Sequence, residues 1–142
     1  MSFEQISEYR GFNQRLGKDT GSVTLVLGAG NVSSIPFLDV LFHLVAKRSS
    51  IILKLNPVND YLNPVFRKVF YEFIQKGYIT VVNGDIPTSK YLCEHPSIDA
   101  IHLTGSNYTY ENIVYGKELN DKERNLSTIP KVNKKPIFTE LG

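Results

Sequence analysis

The residues best suited to chemistry in this sequence follow an apolar stretch near its start. In LVLGAGNVSSIP (25–36), Gly28, Gly30 and then Asn31 separate a strand pattern from a helix pattern. Glycines at this spacing let a backbone turn approach the phosphates of a dinucleotide. The full fingerprint has a third glycine, where this chain has Ser33. The turn therefore indicates either a variant dinucleotide site or an ordinary turn between a strand and a helix.

Lys54 stands where a dinucleotide site usually has an acidic residue, roughly 20 positions beyond the glycine turn. Its neighbours in SIILKL (50–55) are apolar, and an unpaired ammonium is costly to bury. We therefore predict that Lys54 emerges at the end of its strand, in the ligand crevice, where it could bind ribose hydroxyls or attract a phosphate. The alternative is a lysine whose ammonium simply extends to solvent.

Two later stretches also place polar residues after a strand pattern. IDAIHLTGS (98–106) ends in Gly105 and Ser106, a second turn between strand and helix, and PIFTELG carries Glu140. Asn31 and Glu140 also have plain structural explanations, the first as a turn residue and the second as a solvated carboxylate. The residues alone leave both explanations open.

The sequence has one cysteine, Cys93, and three histidines, His43, His95 and His102. A single cysteine cannot form an intrachain disulfide, which favours a reducing cytoplasm. Cys93 lies in KYLCEHP, on a predicted short helix, and is expected to be a small buried apolar residue. The histidines are too scattered to indicate a metal ligand set, so we predict no metal and assign them structural or surface roles.

Length and composition set further limits. The 142 residues suit one domain, and the net charge of +2 is too small to indicate nucleic-acid binding. The beginning of the sequence lacks a secretory signal pattern, and no apolar run approaches the ~20 residues that span a bilayer. We therefore predict a cytoplasmic protein that binds neither nucleic acid nor membrane.

Strand patterns alternate with helix patterns along most of the chain. Strands are predicted at 22–30, 50–55, 78–84 and 98–106, and a fifth begins within 136–142. Helices are predicted at 35–45, 61–75, 87–95 and 107–114. This alternation predicts an α/β fold, a parallel sheet with helices on both faces that binds ligands at the carboxyl ends of its strands.

Finer expectations concern the helices and the segments between the elements. The first helix is predicted from the spacing of Ile35, Leu38, Leu41, Phe42 and Val45. Thr88 or Ser89 is expected to cap the third helix. The polar stretch 115–135 is expected to be an exposed loop, residues 1–20 a polar lead-in, and 21–142 the domain itself.

Four stretches in order, GAGN, ILKLNP, HPSIDAIHLTGS and KPIFTELG, resemble the cofactor domain of the aldehyde dehydrogenase superfamily. The similarity runs from about residue 22 to 142. It implies a variant Rossmann-like domain that binds NAD or NADP and does not depend on the third glycine, so Ser33 is compatible with it. The resemblance implies cofactor-binding roles for Gly28, Gly30, Lys54, Gly84, Gly105 and Ser106.

The resemblance implies that Lys54 contacts the adenosine ribose, and that Gly105 and Ser106 meet the pyrophosphate at a helix N-terminus. It also implies two catalytic roles. The Asn31 amide would help form the oxyanion hole, and Glu140 would activate water or a cysteine thiol. In this chemistry a cysteine thiolate attacks an aldehyde, hydride passes to the nicotinamide, and water releases a carboxylic acid.

The chain departs from the family pattern in three places. The family's nucleophilic cysteine lies beyond the ELG motif, in a catalytic domain that this sequence does not include, and Cys93 is not expected to replace it. Pro57 stands where the family often has a ribose-binding glutamate, which makes NADP as plausible as NAD. In NGDIPTS only Gly84 remains of a second glycine-rich turn.

Several functional hypotheses follow. The first is the cofactor-binding portion of an NAD(P)-dependent aldehyde dehydrogenase-like oxidoreductase, which would act on an aldehyde only together with a missing catalytic segment. Part of an acyl-CoA reductase of the same superfamily is a close alternative. A third is an inactive remnant that serves as a binding or interaction module, through self-association or a complementing chain. An unrelated Rossmann-like nucleotide binder is the weakest of them.

Overall fold

A computed structural model of the protein describes residues 21–124 and 129–141. The predicted lead-in, 1–20, and Gly142 lie outside the described residues. The strands are β1 (Ser22–Leu27), β2 (Ser49–Lys54), β3 (Ile79–Val82), β4 (Ala100–Gly105) and β5 (Ile137–Leu141). They form one sheet in the order β3-β2-β1-β4-β5, with every neighbouring pair parallel.

The helical segments connect these strands. They are α1 (Ile35–Leu41) with a π-helical continuation (Phe42–Ala46), a 3₁₀ helix (Pro57–Leu62), α2 (Asn63–Val69), α3 (Tyr71–Gln75), α4 (Ile86–Glu94), α5 (Asn107–Tyr115) and α6 (Asp121–Arg124). Each of the four crossovers between parallel strands carries at least one of these helices, as parallel pairing requires. Within the described ranges, no helix is long and apolar enough to cross a membrane.

The hydrophobic core has two parts, one on each face of the sheet. Val26 and Leu53 belong to the cluster that also contains Phe66 and Phe70 of the 61–75 region. Leu25 and Ile101 belong to the other cluster, together with Cys93 of α4. Successive strand residues thus bury their side chains on opposite faces, which is why β1 and β2 are apolar without alternation. The predicted α/β, Rossmann-like parallel sheet with helices on both faces is confirmed.

The apolar face predicted for the first helix is only partly buried, since Leu41 packs against the core. Leu38 and Val45 are 58% and 68% exposed, whereas Asp39, Val40 and His43 are buried. The helix changes to π-helical hydrogen bonding at Phe42, which alters the spacing, and two of its buried positions carry polar side chains. Three of the five predicted residues, Leu38, Phe42 and Val45, are therefore exposed.

The single helix predicted at 61–75 is interrupted. Phe70 (φ −95°, ψ 17°) separates α2 from α3, and a 3₁₀ helix, Pro57–Leu62, precedes α2. The Phe70 ring is buried and stacks on Phe37 of α1, with ring centroids 5.2 Å apart. The break thus falls at a residue whose ring belongs to the core cluster.

The stretch 115–135 is more than the predicted exposed loop. Leu119 is buried, and its backbone N–H donates to the Glu111 carboxylate at 2.9 Å. The Arg124 guanidinium donates to both oxygens of the same carboxylate, at 2.8 and 3.1 Å. These hydrogen bonds, from the Arg124 side chain before that from Leu119, lower the pKa of Glu111. One buried carboxylate therefore holds residues 119–124 against α5, whereas Val132, Asn133 and Lys135 hydrogen-bond to carbonyls of Val114, Cys93 and His95.

Candidate functional site

A groove of about 1110 Å³ runs along the carboxyl ends of the strands. Its lining includes five of the predicted cofactor residues: Gly28, Gly30, Lys54, Gly105 and Ser106. A smaller cavity of about 510 Å³ shares Gly30, Gly105 and Ser106 with it. The fold thus brings together residues that lie up to 78 positions apart in the sequence, from Gly28 to Ser106 (106 − 28).

The glycine turn lies against the end of β2. The Gly28 N–H donates to the Lys54 carbonyl at 2.9 Å. A Cβ added at Gly28 would lie 3.2 Å from Pro36 Cγ and 3.4 Å from the Lys54 carbonyl oxygen. The glycine therefore permits the close approach of the turn to both the neighbouring strand and α1.

Asn59 supports the same turn, and sequence analysis missed it. This buried residue of the 3₁₀ helix donates from its side-chain amide to the Ala29 carbonyl at 2.9 Å and, more weakly, to the Gly30 carbonyl at 3.4 Å. Asn59 follows the strand predicted at 50–55, in a stretch to which no role was assigned. The one available signal was a polar residue two positions after Pro57, and this pattern is too common in turns to be specific.

Lys54 is 5% exposed, although its side chain lines the groove. None of the hydrogen bonds and ion pairs found in the described ranges involves its ammonium. Burial lowers the pKa of Lys54, and the carboxylates of Asp60 and Asp85 act in the opposite direction. Lys54 therefore lies at the end of β2 beside the groove, and its ammonium does not extend to bulk solvent.

The second turn leads into α5, whose N-terminus faces the same groove. Ser106 caps this helix, since its hydroxyl accepts the Thr109 N–H at 3.2 Å. The first-turn N–H groups of a helix have no partner within the helix, and together with the helix dipole they favour an anion. Gly105 shares the groove lining with Ser106 and Tyr108, whose phenol is exposed.

Gly84 lies next to the groove but does not line it. Its φ of +156° favours glycine, and an added Cβ would meet the Thr88 side chain at 2.6 to 2.7 Å. The helix cap that follows is also different from the prediction. Asp85, not Thr88 or Ser89, caps α4, because its carboxylate accepts the Thr88 N–H at 3.1 Å. The position of Gly84 thus indicates a turn that serves this cap.

Asn31 and Glu140 line the smaller cavity together. Both side chains are exposed, and neither has a hydrogen-bond partner within the part of the chain that the structure describes. Glu140 lies on the edge strand β5, in register with Thr104 of β4, which also lines the cavity. An amide donor and a carboxylate acceptor are therefore available on one wall of a polar cavity.

A buried polar network lies beneath this cavity. His43 Nε2 and His102 Nδ1 are 2.9 Å apart, and His102 Nε2 lies 3.3 Å from Asp39 Oδ1. The Thr104 hydroxyl donates to the other Asp39 oxygen at 3.2 Å. Sequence analysis judged the histidines too scattered to form a group, but the fold joins two of the three. Ligand atoms of Asp39, His102 and Glu140 lie within 4.8 Å of one another.

One proton arrangement satisfies this network best. His43 Nε2–H donates to His102 Nδ1, and His102 Nε2–H donates to Asp39. His43 Nδ1, which has no partner among the described residues, is then an unprotonated acceptor, not a buried N–H. Burial and, to a lesser degree, the neighbouring His102 lower the pKa of His43 to about 4, so the ring is neutral at pH 7. The network links α1 to β4 directly below Thr104.

Cys93 is buried as predicted, at 3% exposed, and burial raises the pKa of its thiol to about 11. We expect the native thiol to react with Ellman's reagent at pH 8 at least about 100-fold more slowly than in guanidinium chloride, because the thiolate is scarce and covered. The measurement is the absorbance time course with and without denaturant. Native and unfolded rates within threefold of each other would contradict the buried position.

Comparison with known proteins shows similarity of structure only. No protein-family model matches the sequence, and no curated protein matches it significantly. A solved structure of proline utilization A (PutA) with proline bound in remote sites superimposes with a TM-score of 0.65 and 21% identity. A PutA mutant, D779W, from Bradyrhizobium japonicum gives 0.63 and 20%. Each match covers 85% of this chain, which spans only 12% of the PutA chain.

Proposed function

We propose that this chain binds a nicotinamide dinucleotide along the groove and forms the cofactor-binding portion of an NAD(P)-dependent aldehyde dehydrogenase-like oxidoreductase. The observation that carries the proposal is Lys54, an ammonium without a hydrogen-bond partner in the described residues that is 5% exposed and lines a large groove beside a glycine turn. A buried ammonium costs free energy unless it gains a partner, and a polar ligand supplies one.

The groove fits the proposed cofactor at more than one point. Lys54 would hold the adenosine ribose, and the turn at Gly28 and Gly30 leaves room for close approach of the backbone. Ser106 caps α5, and the first N–H groups of this helix could bind a pyrophosphate. A Cβ at Gly30 would come within 2.8 Å of the Asn56 amide, so the space above this turn depends on glycine.

The smaller cavity suits the chemical step. The Asn31 amide would donate a hydrogen bond to the oxyanion that develops when a thiolate adds to an aldehyde. Glu140 would accept a proton from the water that hydrolyses the thioester. When bound, the nicotinamide would supply the hydride acceptor. The thiol must belong to another cysteine. Cys93 is buried, and because its pKa is about 11 it forms little of the thiolate that nucleophilic attack requires.

A separate observation supports a second candidate function, that of an interaction module. Leu38, Phe42 and Val45 are exposed apolar residues of the α1 region, although the Lys47 ammonium lies 5.5 Å from the centre of the Phe42 ring. Exposed apolar surface of this kind marks contact sites, and β5 has an unpaired edge at the end of the sheet. Self-association or a complementing chain would bury these groups, and this is compatible with cofactor binding.

A titration of the full chain with NADH tests the proposal. We expect saturable binding, seen as a change in nicotinamide fluorescence, that unlabelled NAD displaces. Nicotinamide mononucleotide, which lacks the adenosine half, is expected to displace NADH poorly, because Lys54 would bind the adenosine ribose. Absence of binding at millimolar NADH would contradict the proposal, and the interaction module would then be the better account.

A further inference from the structure

Two carboxylates come close to Lys54 from segments that follow different strands. Asp85 lies three residues beyond Val82, which is in register with Lys54. Asp60 lies on the 3₁₀ helix that follows β2. Both carboxylates act electrostatically on the Lys54 ammonium, and Lys54 in turn acts on Asp85. Two carboxylates and one ammonium give these three groups a formal net charge of −1.

Both carboxylates retain unused hydrogen-bonding capacity. Asp85 Oδ1 accepts the Thr88 N–H at 3.1 Å and the Thr88 hydroxyl at 2.9 Å, whereas Oδ2 accepts no hydrogen bond from the described residues. Asp60 Oδ1 is buried and also has no partner there. Exposed Asp85 therefore offers a free acceptor oxygen near Lys54, and both aspartates contribute negative charge, which suits a hydroxyl donor and opposes a phosphate.

We propose that Asp85, assisted by Asp60, makes this site select NAD over NADP. The inference rests on the proposed function, in which the adenosine ribose lies at Lys54. The 2′-hydroxyl of NAD can donate to a carboxylate while accepting from the ammonium. The 2′-phosphate of NADP would bring about two negative charges toward two carboxylates, with only one lysine to offset them.

The sequence alone did not indicate a preference for NAD over NADP. Pro57 stands where the resemblance leads one to expect a carboxylate, and on that ground NADP was as plausible as NAD. The fold supplies negative charge from other positions, one at the start of α4 and one on the 3₁₀ helix. Neither position is identifiable as a ribose contact from spacing along the chain.

Calorimetric titrations of the full chain with NAD and NADP test the inference. We expect NAD to bind about tenfold more tightly than NADP at low ionic strength, with a smaller difference at high salt. Asp85→Asn should reduce this ratio at least fivefold, chiefly by strengthening NADP binding. Asparagine also caps helices well, so the variant should fold. Glu72→Gln, an exposed residue of α3 outside the groove, is the matched control and should leave the ratio unchanged.

The outcomes separate the two proposals. Binding of both cofactors with equal affinity, or a ratio that neither Asp85→Asn nor Asp60→Asn alters, would overturn the selectivity while leaving the cofactor site in place. Binding of neither dinucleotide to the unmodified chain would overturn the proposed function, and the selectivity with it. A preference for NAD that Asp85→Asn weakens and Glu72→Gln preserves would support both.

Discussion

Replacing Lys54 with methionine is expected to weaken NADH binding by about 10- to 100-fold while preserving the fold. Hydrogen bonds to a charged group contribute about 1.5–3 kcal/mol, which corresponds to that range of affinity. Methionine keeps the length of the side chain and removes a desolvated charge from a position that is 5% exposed. The melting temperature should therefore stay the same or rise, and the same NADH fluorescence titration measures the loss of affinity.

Lys90→Met is the matched control for this experiment. Lys90 also lines the groove, but it is an exposed residue of α4, and its removal should change the affinity less than threefold. Equal losses in the two variants would mean that the groove attracts the dinucleotide through general positive charge alone. Unchanged affinity in Lys54→Met would contradict the assigned role of Lys54.

Acid is expected to destabilise the protein through His43, and His43→Gln should reduce that effect. The unfolded chain binds a proton at this residue near its ordinary pKa of 6.5, whereas burial holds the pKa in the folded state at about 4. Between these values the unfolded state binds more protons, so stability is lost as the pH falls. The loss from this group should be on the order of 2 kcal/mol between pH 7 and pH 5.

Urea denaturation of both proteins at the two pH values measures this contribution. Glutamine keeps polar atoms in the buried position but does not titrate there. His95→Gln is the control, since His95 is only partly buried and lies outside the network with His102. It should show the same pH dependence as the unmodified chain. A His43→Gln protein that loses as much stability as the unmodified one would contradict a neutral buried His43.

The sheet was predictable from the sequence because the apolar composition of its strands reflects their burial. β1 and β2 each contain an uninterrupted apolar run, 25–27 and 51–53, which is typical of strands covered on both faces, and a helix pattern separates them. The position of Lys54 was predicted for a related reason. An unpaired charge is costly to bury within an apolar strand, so the lysine was expected at the carboxyl end of β2. The glycine turn was predictable from the spacing of Gly28 and Gly30.

The rest of the site depended on contacts between distant segments. Asn59 reaches the glycine turn from a 3₁₀ helix, Asp85 reaches the surroundings of Lys54 from the start of α4, and Asp39 meets His102 across 63 positions (102 − 39). A pattern along the chain does not show which distant residues are in contact. Polar side chains also occupy part of the buried side of α1, because the network satisfies them there.

The structural similarity to PutA chains bears on the fold rather than on the reaction. A parallel sheet of this type supports many activities, so function has to be argued from the side chains at its carboxyl edge. In this chain those are an ammonium without a described partner, two glycine turns, and an amide and a carboxylate that share a cavity. Their joint placement is the reason for proposing a nicotinamide dinucleotide.

The central claim is most directly tested by following backbone amide resonances of the ¹⁵N-labelled chain during titration with NAD. We expect saturable shifts concentrated at the glycine turn (28–31), at the end of β2 and the residues after it (54–57), and around the N-terminus of α5 (105–109). Lys54→Met should suppress these shifts. An unchanged spectrum at millimolar NAD, or shifts confined to the opposite end of the sheet, would contradict a dinucleotide site at the carboxyl ends of the strands.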